Sequence, residues 1–223
     1  MEDYTRVNTG SGSADSGKTI RSRIVFEKRA GKPVRGEVLH LLLGGQMLLG
    51  RDDSCDIQVQ DDRVSRKHAM IQIEGSAARM VDLGSTNGTT RNDIPVTDEI
   101  ILVDNDRICL ADSVTFDVRI VERNGVVGSV RLATGSNAFL LAPTDIIIGR
   151  VSKDNPACDL MIYDPEISVA HAKIEHFYNN TFIVALDPEK EVLVNGNPVK
   201  ELEIKSGSVI SIGQSAFQWE LLG

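Results

Sequence analysis

The sequence predicts an all-β protein built as two tandem antiparallel β-sandwich domains, and three observations carry that prediction. Apolar residues come in short runs, alternating with polar ones or rich in Val, Ile and Leu, and Gly, Asn, Asp and Ser separate the runs; that is the pattern of many short strands joined by turns. Aromatic residues make up only 4% while glycines number 19, a balance suited to small strands. The same order of strands and turn residues then recurs further along the chain, as two copies of one domain require.

Residues 1–22 are rich in Ser, Thr, Gly and Asp, have no hydrophobic period, and read as a disordered tail. The tail contains a run from Gly12 to Thr19 that fits the phosphate-loop pattern G-x-x-x-x-G-K-[ST]. A working loop of that kind needs an apolar strand before it and a helix after it. Here a polar segment precedes it and I-R-S-R-I-V-F-E, which alternates like a strand, follows, so the run reads as flexible tail and not as a nucleotide site.

A first domain is expected over residues 23–121. Its strands begin with R-I-V-F-E, V-L-H-L-L-L and Q-M-L-L-G-R, continue through Ala69 to Ile73 and Arg79 to Leu83, and end in a hairpin from D-N-D-R-I-C-L to V-T-F-D-V-R-I-V. The residues with chemical potential fall at strand ends. Arg51 closes one strand, Ser65 and His68 open the next, and the turn from Ser85 to Gly88 follows a third. Loops of a sandwich gather at its two ends, so these residues are expected on one rim. Together they offer a guanidinium fork for phosphate oxygens (Arg51), hydroxyls (Ser65, Thr86), an amide that both donates and accepts (Asn87), and turn N–H groups. That set suits capture of a doubly charged anion and holds no machinery for breaking bonds.

The order Gly50-Arg51, Ser65-x-x-His68, Asn87-Gly88 resembles the signature of the forkhead-associated (FHA) domain, a β-sandwich that binds phosphothreonine peptides. The resemblance implies that Arg51 and Ser65 contact the phosphate, that Arg66 assists, and that Asn87 bonds the backbone of the ligand. It makes His68 an internal brace, and Gly50 and Gly88 suppliers of backbone geometry that a Cβ tolerates poorly. Partners would be phosphothreonine-containing proteins, the substrates of Ser/Thr kinases. They would include the protein's own tail if Thr5, Thr9 or Thr19 were phosphorylated.

Residues 122–128 (E-R-N-G-V-V-G) are expected to be a linker, and 129–223 a second, degenerate copy. Gly149-Arg150 repeats Gly50-Arg51, Ser168 repeats Ser65 and His171 repeats His68. Alignment on Pro95-Val96 and Pro198-Val199 sets the Ser85 to Gly88 turn against Pro188-Glu189-Lys190-Glu191, and Arg66-Lys67 against Val169-Ala170. Arg150 and Ser168 therefore form a possible second site, weakened by carboxylates that oppose a phosphate dianion.

Composition excludes several other classes. Net charge is −8, with 13 Lys+Arg against 16 Asp+Glu over residues 23–121 and 8 against 13 over 122–223, so no basic stripe supports nucleic-acid binding. Basic residues nevertheless concentrate near the first rim, as Arg51, Arg63, Arg66, Lys67 and Arg91. No 18-residue apolar run is available to span a membrane. Cys55, Cys109 and Cys158 lack disulfide-framework or zinc spacing, which points to a reducing, cytoplasmic setting. Asp52, Asp53, Asp61 and Asp62 lack a calcium-loop pattern, and no metal or cofactor is expected. Ser65 and His68, if both lie in a strand, face opposite sides and are poorly placed for proton transfer, and no G-x-S-x-G elbow accompanies them. The expected function is non-enzymatic reading of phosphorylated partners through the first domain. The rival reading is a structural module that binds protein independently of phosphate.

Overall fold

The computed structural model describes residues 20–34, 37–135, 137–150, 158–177 and 180–222. The phosphate-loop-like run and Thr5, Thr9 and Thr19 lie outside these residues. Every regular element described is a strand. The first half has β1 (Ile20–Arg29), β2 (Lys32–Pro33), β3 (Val38–Leu43), β4 (Gln46–Gly50), β5 (Ile57–Gln58), β6 (Ala69–Glu74), β7 (Ala77–Asp82), β8 (Thr89–Arg91), β9 (Ile94–Pro95), β10 (Ile100–Ile101), β11 (Arg107–Leu110) and β12 (Val114–Arg123). The second has β13 (Val126–Thr134), β14 (Asn137–Ala142), β15 (Asp145–Arg150), β16 (Leu160–Ile162), β17 (Ala172–Phe177), β18 (Asn180–Ala185), β19 (Val192–Val194), β20 (Asn197–Val199), β21 (Glu201–Ile204), β22 (Val209–Ile212) and β23 (Ser215–Leu221). The all-β expectation holds. Ile20, Arg21 and Ser22, assigned from sequence to the tail, instead begin β1 because they pair along β3.

Two five-stranded sheets, β10-β7-β6-β4-β5 and β16-β15-β17-β18-β21, each cover part of one long sheet with the order β20-β19-β22-β23-β1-β3-β14-β13-β12-β11-β8-β9. This order departs from the expected sequential domains. Strand β1 pairs with β23, the last strand of the second repeat, whereas β13 pairs with β12, the last strand of the first. The opening hairpin of each repeat thus completes the sandwich of the other. Packing follows the pairing: Ile24, Phe26, Leu39, Leu41 and Leu43 join a core with Ile146, Ile174, Phe217 and Trp219. In turn, Val127, Val130, Leu132 and Leu141 join a core with Met47, Ile71, Ile108 and Phe116.

The cause is local. Asn124 and Gly125 sit at φ 53° and 77° between the paired residues Arg123 and Val126, which is the two-residue turn whose twist suits a β-hairpin. The stretch 122–128 is therefore a hairpin and not a linker. Closing two residues costs far less chain entropy than recruiting β1 from a hundred residues away, so β13 takes the free edge of β12. Strand β1 is left to the equivalent edge of β23.

At the centre, β3 and β14 pair in parallel, Leu39 with Ala138 through Leu43 with Ala142. Each residue faces its counterpart 99 positions on, the same spacing as Gly50-Arg51 to Gly149-Arg150. Both faces of this pair are covered. Leu41 and Leu140 point into one core and Leu42 and Leu141 into the other, all at 2% exposure or less. That explains the unbroken apolar runs L-L-L at 41–43 and F-L-L-A at 139–142, which do not alternate as half-exposed strands do.

The exchanged packing makes a fragment test. Residues 23–121 keep β4–β11 and most of β12 but lose Val127, Val130, Leu132 and Leu141 from their core. Each such side chain contributes about 1.5–3 kcal/mol on burial, which together matches the whole stability of a typical domain of about 5–15 kcal/mol. Fragment 23–121 is expected to stay unfolded, and fragment 44–142, which runs from β4 through β14, to fold. Circular dichroism and amide NMR dispersion of the two fragments check this.

Candidate functional site

The first rim is built where β4 ends and where β6 and β8 begin. Gly50 is required there by close approach: a Cβ on it would lie 2.2 Å from the Arg66 carbonyl oxygen and 2.9 Å from Cys55 Sγ. That approach lets the Arg51 and Asp52 N–H groups donate to the Ser65 and Arg66 carbonyls, both at 3.0 Å, fixing the loop after β4 against the loop before β6. Gly149 repeats the constraint, with the Val169 carbonyl oxygen 1.9 Å from a Cβ. Gly88 serves differently, at φ +76° with open space around it.

His68 is fully buried and locks the other loops. The Ser65 N–H donates to its Nδ1 at 3.1 Å, so the proton sits on Nε2 and donates to the Gly88 carbonyl, also at 3.1 Å. One ring therefore joins the serine loop to the Asn-Gly turn. Ser65 and His68 lie in the loop just before β6, so the opposite-face argument for residues within one strand does not apply to them. Proton transfer is excluded by a different geometry from the one anticipated, because the ring nitrogen nearest Ser65 is bonded to its backbone N–H.

Arg51, Ser65, Arg66, Thr86 and Asn87 come together, with Asp52, Asp62, Arg63, Val64 and Lys67, around one cleft of ≈ 600 Å³. The Thr86 N–H donates to Ser65 Oγ at 2.9 Å, and the Arg51 Nε–H donates to the Val64 carbonyl at 3.3 Å. The guanidinium is 4.0 Å from the fully exposed Asp62 carboxylate, a pairing worth little in water, so its fork stays available to an anion. The Asn87 amide donates to the Arg63 carbonyl at 2.8 Å. Arg63 is fixed in turn by two bonds to Asp61, at 3.2 and 3.0 Å, and one to Ser113 Oγ at 2.7 Å. Bonds from Arg63 and Ser113 hold the Asp61 carboxyl well below the usual carboxylate range.

One placement differs from the sequence reading. Arg91 does not line the cleft; it pairs with the buried Asp106 at 2.8 Å. Of the loop aspartates, Asp52 accepts from the Ser54 N–H and Asp61 from the Arg63 N–H. Asp82 went unnoticed in the sequence, yet it anchors the Asn-Gly turn by accepting from the Ser85 N–H and hydroxyl, both at 2.7 Å, and from the Thr89 hydroxyl at 2.6 Å.

The second rim keeps the brace and changes the surface. His171 accepts from the Ser168 N–H and donates to the Glu191 carbonyl, so Glu191 stands where Gly88 does. The Ser168 hydroxyl, however, donates to the Asp187 carboxylate, which also accepts from the Glu189 N–H. Those bonds, the serine's first, lower the Asp187 pKa.

Asp82 yields a prediction with a defined pH dependence. Burial pushes its carboxyl up, but the Thr89 and Ser85 bonds outweigh that and leave it below its usual value. A depressed carboxyl contributes stability above its unfolded pKa of about 4, and loses it as pH falls through the lower folded value. Asp82→Asn is expected to cost about 2 kcal/mol at neutral pH, with the gap to wild type closing below about pH 4. Urea denaturation at pH 7 and pH 3 measures both.

The FHA domain family model matches residues 47–111 and 146–213. Among curated proteins, the chain is 42% identical over 69 residues to the FHA domain-containing protein FhaA of Mycobacterium tuberculosis, a match covering 31% of this chain and 13% of that protein. It is 42% identical over 59 residues to the glycogen accumulation regulator GarA of Mycolicibacterium smegmatis, covering 26% and 37%. The matched region thus spans well under half of either relative. Among solved structures, one from a structural and functional study of phosphothreonine-dependent FHA domain interactions is 32% identical, with TM-score 0.35, over 46% of this chain and 99% of that one. The FhaA FHA domain complexed with the intracellular domain of Rv3910 is 33% identical, with TM-score 0.30, over 40% and 91%. The two stretches matched by the family model cover more than half of the 223 residues, and the protein belongs to the forkhead-associated domain family, of which it carries two copies.

Proposed function

We propose that this chain is a non-enzymatic reader of phosphothreonine in partner proteins, with the first rim as its binding site. The carrying observation is the convergence of Arg51, Ser65, Thr86 and Asn87 on one cleft that also holds Arg66 and Lys67. A phosphate dianion there meets a guanidinium fork, two hydroxyls and two further cations, and charge-assisted bonds of this kind are the strong ones. Asn87, held by the Arg63 carbonyl, stands beside the phosphate position, where its amide can grip the ligand's backbone. The relatives support the reading: one solved FHA domain comes from work on phosphothreonine-dependent interactions, and that of FhaA was captured with another protein's intracellular domain.

The second sandwich is assigned a phosphate-independent role. Its serine hydroxyl already donates to Asp187, so a carboxylate of the chain itself occupies the group that a phosphate would need. An incoming dianion would have to displace Asp187 and then face Glu189 and Glu191. Arg150 alone does not offset that repulsion.

Titration calorimetry with a phosphothreonine peptide selected from an oriented library tests the assignment. Arg51→Ala in the full chain is expected to weaken binding by about 100-fold, the equivalent of about 3 kcal/mol. Arg51→Lys is expected to recover little of it, since an ammonium cannot reproduce a bidentate fork. Arg150→Ala should leave the affinity unchanged. Wild-type affinity in Arg51→Ala would defeat the reading, and a loss in Arg150→Ala would restore the second rim as a site.

A further inference from the structure

We infer that Arg21 is a positioning residue for the phosphate rim, through which the second sandwich holds the binding loop of the first. The inference rests on the first rim being the phosphothreonine site. The loop from Arg51 to Asp56 is fixed at its start by the Ser65 and Arg66 carbonyls. Its far end is fixed by Asp56, whose Oδ2 accepts from the Leu48 N–H at 2.7 Å and whose Oδ1 accepts from the Arg21 Nε–H at 2.7 Å. Arg21 Nη2 also donates to the Ser54 carbonyl at 3.1 Å, so one guanidinium ties two points of the loop.

Arg21 belongs to β1, and β1 is a strand of the second sandwich's sheet. The Arg21 carbonyl accepts from the Leu222 N–H at 2.9 Å, and Arg23 pairs with Glu220 on β23. Within one residue, the backbone is held by the end of the second repeat and the side chain holds the loop that presents Arg51. The opposite exchange has the same form. Asp159, at the position equivalent to Asp56, accepts from the Ile147 N–H at 2.7 Å and from Ser129 Oγ at 2.5 Å, and lies 3.4 Å from Arg123. Ser129 and Arg123 stand on β13 and β12, which belong to the first sandwich's sheet. Asp56 and Asp159 are thus each held by side chains from the other sandwich's sheet. A pin of this kind acts on affinity because bidentate capture needs the fork within about 0.5 Å and 10–20° of its productive geometry.

The test uses the full chain, a phosphothreonine peptide selected by the wild-type protein from an oriented library, and four variants: Arg21→Ala, Arg21→Lys, Asp56→Asn and the double variant Arg21→Ala/Asp56→Asn. Arg21→Ala is expected to weaken the peptide by about fivefold, as loss of one partly exposed ion pair allows. It should also speed hydrogen exchange across residues 51–56, while Arg21→Lys recovers part of the affinity. The double variant should lose less than the sum of the two single losses, because the Arg21–Asp56 bond is removed by both changes. Unchanged affinity in Arg21→Ala, or a lower melting temperature without a change in affinity or loop exchange, overturns the positioning role, as do additive losses in the double variant. If wild type binds and Arg51→Ala does not, those results fall on Arg21 alone. A wild-type chain that binds no phosphothreonine peptide removes the rim reading and this inference with it.

Discussion

A two-residue turn decides the architecture. Asn124 and Gly125 adopt positive φ at the tip of the β12–β13 hairpin, and their twist leaves β13 nowhere to lie except along β12. Once that edge is taken by the second repeat, the opening hairpin of the first must complete a different sheet, and β23 offers the equivalent edge. The central β3–β14 pair, the mixed composition of both cores and the side chains that hold Asp56 and Asp159 across the exchange all follow from that one local preference.

Much of the rim was legible in the sequence because its constraints are short-range. Gly-Arg, Ser-x-x-His and Asn-Gly mark strand ends, and the histidine that braces them does so within a loop and to one adjacent turn. The exchange was harder to see, although its signal was present: Asn-Gly between V-R-I-V-E-R and V-V-G-S-V is a hairpin signature that also fits a short Gly-containing connection. Which sheet a hairpin completes depends on competition between distant edges, and apolar periodicity gives the face of a strand without giving its neighbour. Arg21 stayed hidden for a related reason: its partners lie more than thirty residues away, and nothing in the spacing of an isolated Arg marks them. Asp82 differs, because it bonds Ser85 three residues on, so the D-x-x-S spacing did carry a local signal.

The two rims show how one brace can carry opposite surfaces. His68 and His171 make the same pair of bonds, so both sandwiches keep the geometry that presents a serine beside an arginine. What differs is the use of the serine hydroxyl, which accepts from the Thr86 N–H in one copy and donates to Asp187 in the other. Fold and ligand chemistry are encoded by separate residues here, and the second could change without disturbing the first.

The pairing of β1 with β23 also bears on biosynthesis. Strand β1 ends at Arg29 and its partner ends at Leu221, so about 190 further residues must be made before the opening hairpin can be covered. At about 5–20 residues per second, β1 waits about 10–40 seconds for β23, and over that time the Leu39, Leu41 and Leu43 face of the hairpin lacks Phe217 and Trp219. The first sandwich needs no such delay, because β13 and β14 follow β12 directly. Translation therefore yields a finished half carrying an unsatisfied apolar hairpin, a nascent species that holdase chaperones are suited to shield.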